Sequence, residues 1–521
     1  TRKDWLDIYK TLGVLHVPDL IHKGTQRWDE PFHWCSGPYA VLLSAKITEE
    51  RSKTDYDYNV INLIGFDLYS KTKTVNNIYK DTKSYDAKDK NAVDPRYWIH
   101  QISKVFEWFP KLNFVIYQNK DWELPETWKK QNVSLDNLDN LLYNQKKYFS
   151  SQLIHLNVQD RIEKIKQIRA WICSNQEYII ENCLKDYHKP VAELYATEIN
   201  PILNHIDFTL KHIKSWVNRK SVWTPFHLLG TRSKIYYEPK GVCLVISPWN
   251  YPFNLTINPL VSAVAAGNCV IVKPSEHTPS TSNILREMIS SIFNEHEVSV
   301  VQGDSSVGGY LISLNFDHIF FTGSPEIGKV VMGEAAKNLT SVTLELGGKN
   351  HTVVDSNANI KSSAEKIIWS KYVNCGQTCI AVNHVFVHSS IYDDFIAALK
   401  NTIDHFFENN SDYASVVNAR HFNRLKRLQE ECLDNGGELC YQSPKSSQKN
   451  SFPLTLIQVK KWSNPILNSE IFGPILPIVK YTDLEDVVDC INSKEKALAL
   501  YLFTKSKSKT SYFIKSTFFI R

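Results

Sequence analysis

The pattern of apolar and polar positions changes character near residue 137. Beyond it, Leu138 to Cys173 carries apolar residues at helical spacing, and alternating segments follow. Gly241–Ile246, Cys269–Val272 and His318–Phe321 read as strands, and Pro259–Ala266 and Ser282–Phe293 between them read as helices. Strands alternating with helices of about 10–15 residues predict parallel βαβ units. Open sheets of that kind bind ligands beyond the carboxyl ends of their strands, where the Ser247–Phe253 loop lies.

The first 135 residues alternate less clearly. Val60 to Asp67 reads as a buried strand ending in an acid, Asp94-Pro95 opens a helix through Phe109, and Leu112–Tyr117 reads as another strand. Asn119 to Asn137, with Pro125 and several Asn and Asp, is the expected linker. Trp98, Phe106, Trp108 and Phe109 are expected in core packing rather than in a ligand cage. No internal repeat or low-complexity tract is visible.

Composition narrows the classes. With 43% hydrophobic and 22% charged residues over 521 positions, disorder, collagen and coiled coil are excluded as overall descriptions. Sixty basic against 55 acidic residues give +5, which is no nucleic-acid footprint. Ten Cys occur without a C-x-x-C pair, and H-E-x-x-H is absent, so neither a disulfide scaffold nor a usual zinc site is expected. The apolar stretch Leu255 to Val272 is broken by Asn258, Pro259 and Asn268 and reads as helix plus strand, not as a membrane span. The start Thr1-Arg2-Lys3-Asp4-Trp5 lacks the apolar region of a signal peptide, which makes a cytoplasmic location the expectation. Thr1 in place of Met, with only Met288 and Met332 in the chain, suggests that residue 1 is not the natural start.

Candidate chemistry is spread over several loops. Gly323, Gly328 and Lys329 imitate a phosphate-binding loop, but Val330 stands where Ser or Thr would hold magnesium, so ATP hydrolysis is not expected. A Gly-containing strand-to-helix turn can still present a helix N-terminus to a pyrophosphate, and a plain tight turn is the alternative. Cys379 could be a nucleophile if a base or a helix end lowered its pKa from about 8.5; a buried structural Cys is the alternative. Glu345, in an apolar strand before Gly347-Gly348, suits a general base, or else a paired structural acid. Asn250 places an amide donor in a Pro-bounded loop suited to an oxyanion. Lys273 and Glu276 follow a strand and could grip ribose hydroxyls.

These motifs in this order resemble an aldehyde dehydrogenase, and specifically the class 3 branch that includes fatty-aldehyde dehydrogenases. The resemblance covers about residues 138 to 515. It rests on Trp249-Asn250-Tyr251-Pro252-Phe253, Val272-Lys273-Pro274-Ser275-Glu276, Phe321-Thr322-Gly323-Ser324 and Leu344-Glu345-Leu346-Gly347-Gly348-Lys349. Gly376-Gln377-Thr378-Cys379-Ile380-Ala381, Ala419-Arg420-His421-Phe422, Glu470-Ile471-Phe472-Gly473-Pro474 and Leu498-Ala499-Leu500-Tyr501-Leu502-Phe503 complete it.

The resemblance implies a Rossmann-like parallel-sheet cofactor domain at 137–344, an α/β catalytic domain at 345–521 and, before them, a separate small α/β module at 1–136. It implies NAD or NADP as cofactor, an aldehyde as substrate and no metal. Cys379 would be the nucleophile and Cys375 not; Asn250 and the Cys379 N–H would bind the oxyanion, and Glu345 would activate water. Lys273 and Glu276 would hold the adenosine ribose, Gly323 and Ser324 the pyrophosphate, and Glu470 and Phe472 the nicotinamide end, with Gly328, Leu346 and Gly347 completing the cofactor set. A homodimer is typical of the family.

The sequence departs from the family at both ends. Phe518-Phe519 stand where glycines should follow Ser516-Thr517, and the Pro-Phe-Gly-Gly loop and interface strand of the family are missing, which suggests a reading-frame slip or an incomplete gene end. That departure would weaken both the substrate enclosure and the dimer. The N-terminal block has no class 3 counterpart; around Ser36-Gly37 and Ile64-Gly65-Phe66-Asp67 it faintly resembles a sialyltransferase-type glycosyltransferase. The competing readings are a truncated, catalytically dead scaffold and glycosyl transfer by the N-terminal module.

Overall fold

A computed structural model describes residues 41, 44–46, 48, 60–64, 96–109, 112–117, 133–136, 138–153, 157–408, 413–444 and 447–517. Ser36, Gly37, Asp67, Phe518 and Phe519 therefore lie outside the described residues. The chain divides into two compact units, residues 1–144 and 145–521.

In the first unit, strands β1 (Val60–Ile64), β2 (Asn113–Tyr117) and β3 (Val133–Asp136) form a parallel sheet in that order. Helix α1 (Arg96–Trp108) lies between β1 and β2 in the chain. Phe106 and Phe109 are buried, Phe106 lies 4.5 Å from the Phe114 ring, and Trp108 is exposed. The expected linker at 119–137 is overturned in part, because β3 lies within it. Its Val133 and Leu135 alternate with polar neighbours, and pairing with β2 satisfies a backbone that composition alone marked as loop.

The division between units falls inside helix α2 (Leu138–Ser151) rather than at 136/137. The single helical pattern over 138–173 is two helices. Helix α3 (Val158–Ser174) restarts at Asn157, whose side chain accepts from the backbone of Gln159 and Asp160 while Asp160 accepts from the Asn157 N–H. That reciprocal cap begins a new helix despite the continuing apolar period. Helix α4 (Gln176–Asp186) follows, then a short segment Val191–Leu194 that passes through a π-helical turn at Tyr195–Ile199 into α5 (Asn200–Trp216). An antiparallel ribbon, β4 (Lys220–Val222) with β5 (Ser233–Ile235), comes next.

The cofactor-type sheet is wholly parallel. Strand β6 (Val242–Ile246), helix α6 (Asn254–Ala266), strand β7 (Cys269–Lys273), helix α7 (Pro279–Ile292), strand β8 (Val298–Val300) and helix α8 (Ser305–Ser313) lead to β9 (His318–Gly323), α9 (Pro325–Lys337) and β10 (Ser341–Leu346). Their spatial order is β10-β9-β6-β7-β8. Strands β6 and β7 are almost entirely buried, as expected of parallel strands covered on both faces. The chain reverses direction across the sheet between β6 and β9, so the loops leaving these two strands flank the switch point where ligands bind. Helix α6 starts before the expected Pro259 and runs through it, because Asn254 is anchored by its N–H to Glu198 and by its side chain to the Thr197 carbonyl.

The expected boundary at 344/345 falls inside β10, and the change of sheet comes at 347–350. The second sheet contains β11 (His351–Val354), β12 (His384–His388), β13 (Gly437–Gln442), β14 (Thr455–Val459), β15 (Ile475–Tyr481) and β16 (Leu500–Phe503), ordered β13-β14-β15-β12-β11-β16. All its pairs are parallel except β13 with β14. Helices α10 (Ile360–Tyr372), α11 (Tyr392–Phe406), α12 (Ala419–Asp434), α13 (Leu484–Asn492) and α14 (Lys507–Ser516) accompany it. One core lies under the second sheet around Phe386, Phe395 and Ile478; another packs α3, α5 and α6 against β6 and β7. Among the described residues no helix is long and apolar enough to cross a membrane.

Candidate active site

The loop from β6 to α6 carries Asn250. Its side chain is buried and donates one hydrogen bond to the Gln377 carbonyl at 3.0 Å, which leaves the second amide hydrogen for another acceptor. Its main-chain carbonyl accepts three hydrogen bonds, from Tyr187 Oη (2.7 Å), Asn374 Nδ2 (2.9 Å) and Lys189 Nζ (3.1 Å). Lys189 is itself buried against Glu198 at 3.3 Å and lies 4.4 Å from the centre of the Tyr251 ring. Three donors on one carbonyl hold this loop, and with it the amide, in a single orientation.

Cys379 follows a turn with unusual backbone. Asn374, Cys375 and Gly376 have φ of 52°, 53° and 67°, three successive left-handed residues. A side chain on Gly376 would place Cβ 2.5 Å from the Gly473 carbonyl oxygen, so the position admits no larger residue. Gln377 braces the turn, donating to the Asn374 and Ser415 carbonyls and accepting from the Val417 N–H. The Asn374 N–H itself donates to Glu193 Oε1 at 2.7 Å.

The two cysteines of the motif differ in access. Cys375 is fully buried, donates to Tyr413 Oη at 3.4 Å, and has its thiol pushed up to about 12 by burial. Cys379 is partly exposed and lines two cavities. Burial raises its thiol above the usual value and the Glu470 carboxylate adds to that, while the N–H groups of Cys379 and Ile380 oppose both. Cys379 therefore needs a base to act as nucleophile. Glu345, on β10 opposite Thr322 of β9, is exposed, and no hydrogen bond or ion pair within the described residues holds it. It shares the walls of both cavities with Cys379.

One cavity, of about 540 Å³, is walled largely by apolar groups such as Val245, Leu255, Phe320, Leu346 and Leu498. The other, of about 550 Å³, contains Asn250, Gly323, Ser324, Gly347, Glu470 and Phe472. Ser324 caps α9 by accepting from the Ile327 N–H at 3.4 Å, and the positive end of that helix faces this second cavity. Glu470, raised by burial, accepts from the Gly348 N–H at 3.0 Å. A Cβ on Gly347 would come 2.0 Å from Glu470 Oε1, so this glycine makes room for the carboxylate. Phe472, at φ 46°, sets its ring edge-on to Trp249 at 5.3 Å, and Arg424 holds the carbonyls of Ile471 and Phe472.

Four expected cofactor residues lie outside the wall of the second cavity. Gly328 is in neither cavity wall: a Cβ there would lie 2.8 Å from Leu346 Cδ2, so it lets α9 pack closely on β10. Leu346 lines the apolar cavity rather than the one with Glu470. Lys273, the last residue of β7, and Glu276, just beyond it, are paired at 3.3 Å and also lie outside both walls. The sequence reading missed Tyr187, Lys189, Glu193 and Glu198, which support the loops of Asn250 and Cys379. For Glu193 and Glu198 the only sequence signal is charge within a partly apolar helical pattern; Tyr187 and Lys189 carry none.

The second cavity fits an elongated dinucleotide. It joins a helix N-terminus to a carboxylate and an aromatic edge, and its wall holds a buried His421 Nδ1 without a hydrogen-bond partner. Burial lowers His421 to about 4, so that nitrogen belongs to a neutral imidazole.

Comparison with known proteins agrees with this arrangement. Residues 128–518 match the model of the aldehyde dehydrogenase family. The chain is 37% identical over 386 residues to a 4,4'-diaponeurosporen-aldehyde dehydrogenase of Staphylococcus aureus (strain NCTC 8325 / PS 47), covering 73% of this chain and 83% of that protein. It is 36% identical over 349 residues to aldehyde dehydrogenase family 3 member B1 of Rattus norvegicus, covering 66% of this chain and 74% of the relative. A solved structure described as the substrate-bound state of Staphylococcus aureus AldH superposes with a TM-score of 0.70 at 36% identity, over 74% of this chain and 84% of that one. The family match over most of the chain, together with relatives of family 3 at more than a third identity, shows that the chain belongs to the aldehyde dehydrogenase family, in its class 3 branch.

Proposed function

We propose that residues 137–521 oxidise an apolar aldehyde, medium- or long-chain aliphatic or aromatic, to its carboxylic acid with NAD+ or NADP+. The observation that carries this reading is that Cys379 and Glu345 stand together in the walls of both cavities, with Asn250 in one of them. The second cavity holds the dinucleotide, with Gly323 and Ser324 of residues 137–344 at its pyrophosphate and Glu470 and Phe472 of residues 345–521 at its nicotinamide end. Lys273 and Glu276 are assigned to the adenosine ribose. When bound, the dinucleotide supplies the hydride acceptor.

The protein's own groups do the rest. The Cys379 thiol loses its proton to solvent water and the sulfur adds to the aldehyde carbon, giving a tetrahedral thiohemiacetal anion. The free amide hydrogen of Asn250 and the Cys379 N–H donate to its oxygen. With the hydride passed to the bound dinucleotide, that carbon would be left as a thioester on Cys379. Glu345 then draws a proton from water, which adds to the thioester carbon and releases the acid, restoring the thiol. The apolar wall of the 540 Å³ cavity suits the substrate's hydrocarbon part.

The described cysteines are all free, which fits a reducing compartment, and we place the protein in the cytoplasm. The exposed Trp223, Phe226 and Leu229 between β4 and β5 suit a homodimer contact. Glu345→Gln tests the mechanism: a single-turnover burst of NADH should persist while steady-state turnover falls about 100-fold or more, the usual weight of a general base. Undiminished turnover would remove Glu345 from that role.

A further inference from the structure

The nucleophile turn is expensive, and something outside it must hold it. A non-glycine residue in a left-handed conformation is strained, and Asn374 and Cys375 are both of that kind. The first N–H of the turn, that of Asn374, belongs to a fully buried residue and finds its partner 181 positions away, at Glu193 Oε1. Glu193 stands on the short segment Val191–Leu194, two residues before the π-helical turn's Tyr195. The other braces of this turn are neutral amides and hydroxyls: Gln377, the Asn374 side chain and Tyr187.

We propose that Glu193 is a positioning residue for the nucleophile: its carboxylate clamps the Asn374 N–H and thereby holds the left-handed turn that presents Cys379. The proposal rests on the reading of Cys379 as nucleophile. An ionised acceptor binds an N–H about twice as strongly as a neutral one, so the clamp tightens when Glu193 is charged. Burial lifts Glu193 to about 7; Lys189 and the Asn374 N–H oppose that lift, and Glu198 adds to it. Tyr187, Tyr251, Cys375 and Tyr413 face it from the loops packed against it, and Lys371 lies behind Cys375. All four have values raised well clear of neutrality, and Lys371, lowered to about 7, contacts the Gly473 carbonyl rather than the Asn374 N–H. The sign follows: the turn is loosely held below pH 7 and firmly held above it.

The test is the NADH burst of the full 521-residue protein from pH 5.5 to 9, in the parent, Glu193→Gln, Glu193→Leu and Cys379→Ser. In the parent the burst rate rises through an inflection near pH 7, the value of Glu193, before the thiol's own rise at higher pH. In Glu193→Gln that inflection disappears and the rate at pH 8 falls about ten-fold, within the ~100-fold that a misplacement of about 1 Å can cost. The aldehyde KM stays close to the parent's. The alkylation rate of Cys379 by iodoacetamide falls in parallel, a readout that does not involve the substrate. Glu193→Leu, without an acceptor, should lose at least as much; if it fails to fold, the isosteric Gln variant decides. A Gln variant whose pH profile superimposes on the parent's overturns the clamp. A burst that survives in Cys379→Ser would instead overturn the nucleophile on which the clamp depends.

Discussion

At the scale of single residues, reactivity here is decided by surroundings rather than by type. Cys375 and Cys379 share one motif, yet the first is sealed under Tyr413 with its thiol at about 12 and the second opens on two cavities. Cys375→Ser should therefore leave the NADH burst and turnover near the parent's. It should cost about 1–3 kcal/mol of stability, since a hydroxyl replaces a fully buried sulfur, and chemical denaturation read alongside the burst would check both halves. A large loss of burst at unchanged stability would mean that the wrong cysteine has been chosen. The sequence made Cys379, Glu345 and Asn250 legible because each sits in a motif whose local chemistry is explicit. It hid Tyr187, Lys189 and Glu193, whose partners lie 63, 61 and 181 positions away. Only folding turns those side chains into supports of an oxyanion loop and a nucleophile turn.

At the scale of elements, the strands of the parallel sheet were the most legible, because burial on both faces writes them as unbroken apolar runs such as Cys269 to Val272. Starts and breaks were less so. The cap at Asn157 is present in the sequence as Asn-Val-Gln-Asp, but the apolar period runs on across it, and the anchoring of Asn254 comes from Glu198 in another helix. The turn from β9 to α9 shows the same limit. Gly328 looks like part of a phosphate loop, whereas its place is the tight seam between α9 and Leu346 of β10. Replacing it with Ala returns about 1 kcal/mol of helix propensity. Overpacking against Leu346 costs about 1–3 kcal/mol, so a net loss of about 1 kcal/mol is expected. Denaturation would read the loss, and an unchanged KM for the dinucleotide would separate packing from cofactor binding; a large rise in KM would restore Gly328 to the binding set.

At the scale of the molecule, every side chain assigned to the chemistry lies in the unit 145–521, while residues 1–144 form a compact unit with a parallel sheet of its own. Removing residues 1–136 should therefore leave aldehyde oxidation per site unchanged, and comparing turnover of the shortened and full chains would show it. A shortened chain that folds yet loses turnover would make the N-terminal unit part of the enzyme. Within the larger unit, Cys379 and Glu345 stand where two cavities of similar size share a wall. On the proposed reading, cofactor and aldehyde would reach the sulfur through separate doors. Neither would have to leave before the other could enter, so the traffic would be that of a passage open at both ends. Crowding at one mouth by spent dinucleotide would leave the queue of aldehydes at the other undisturbed.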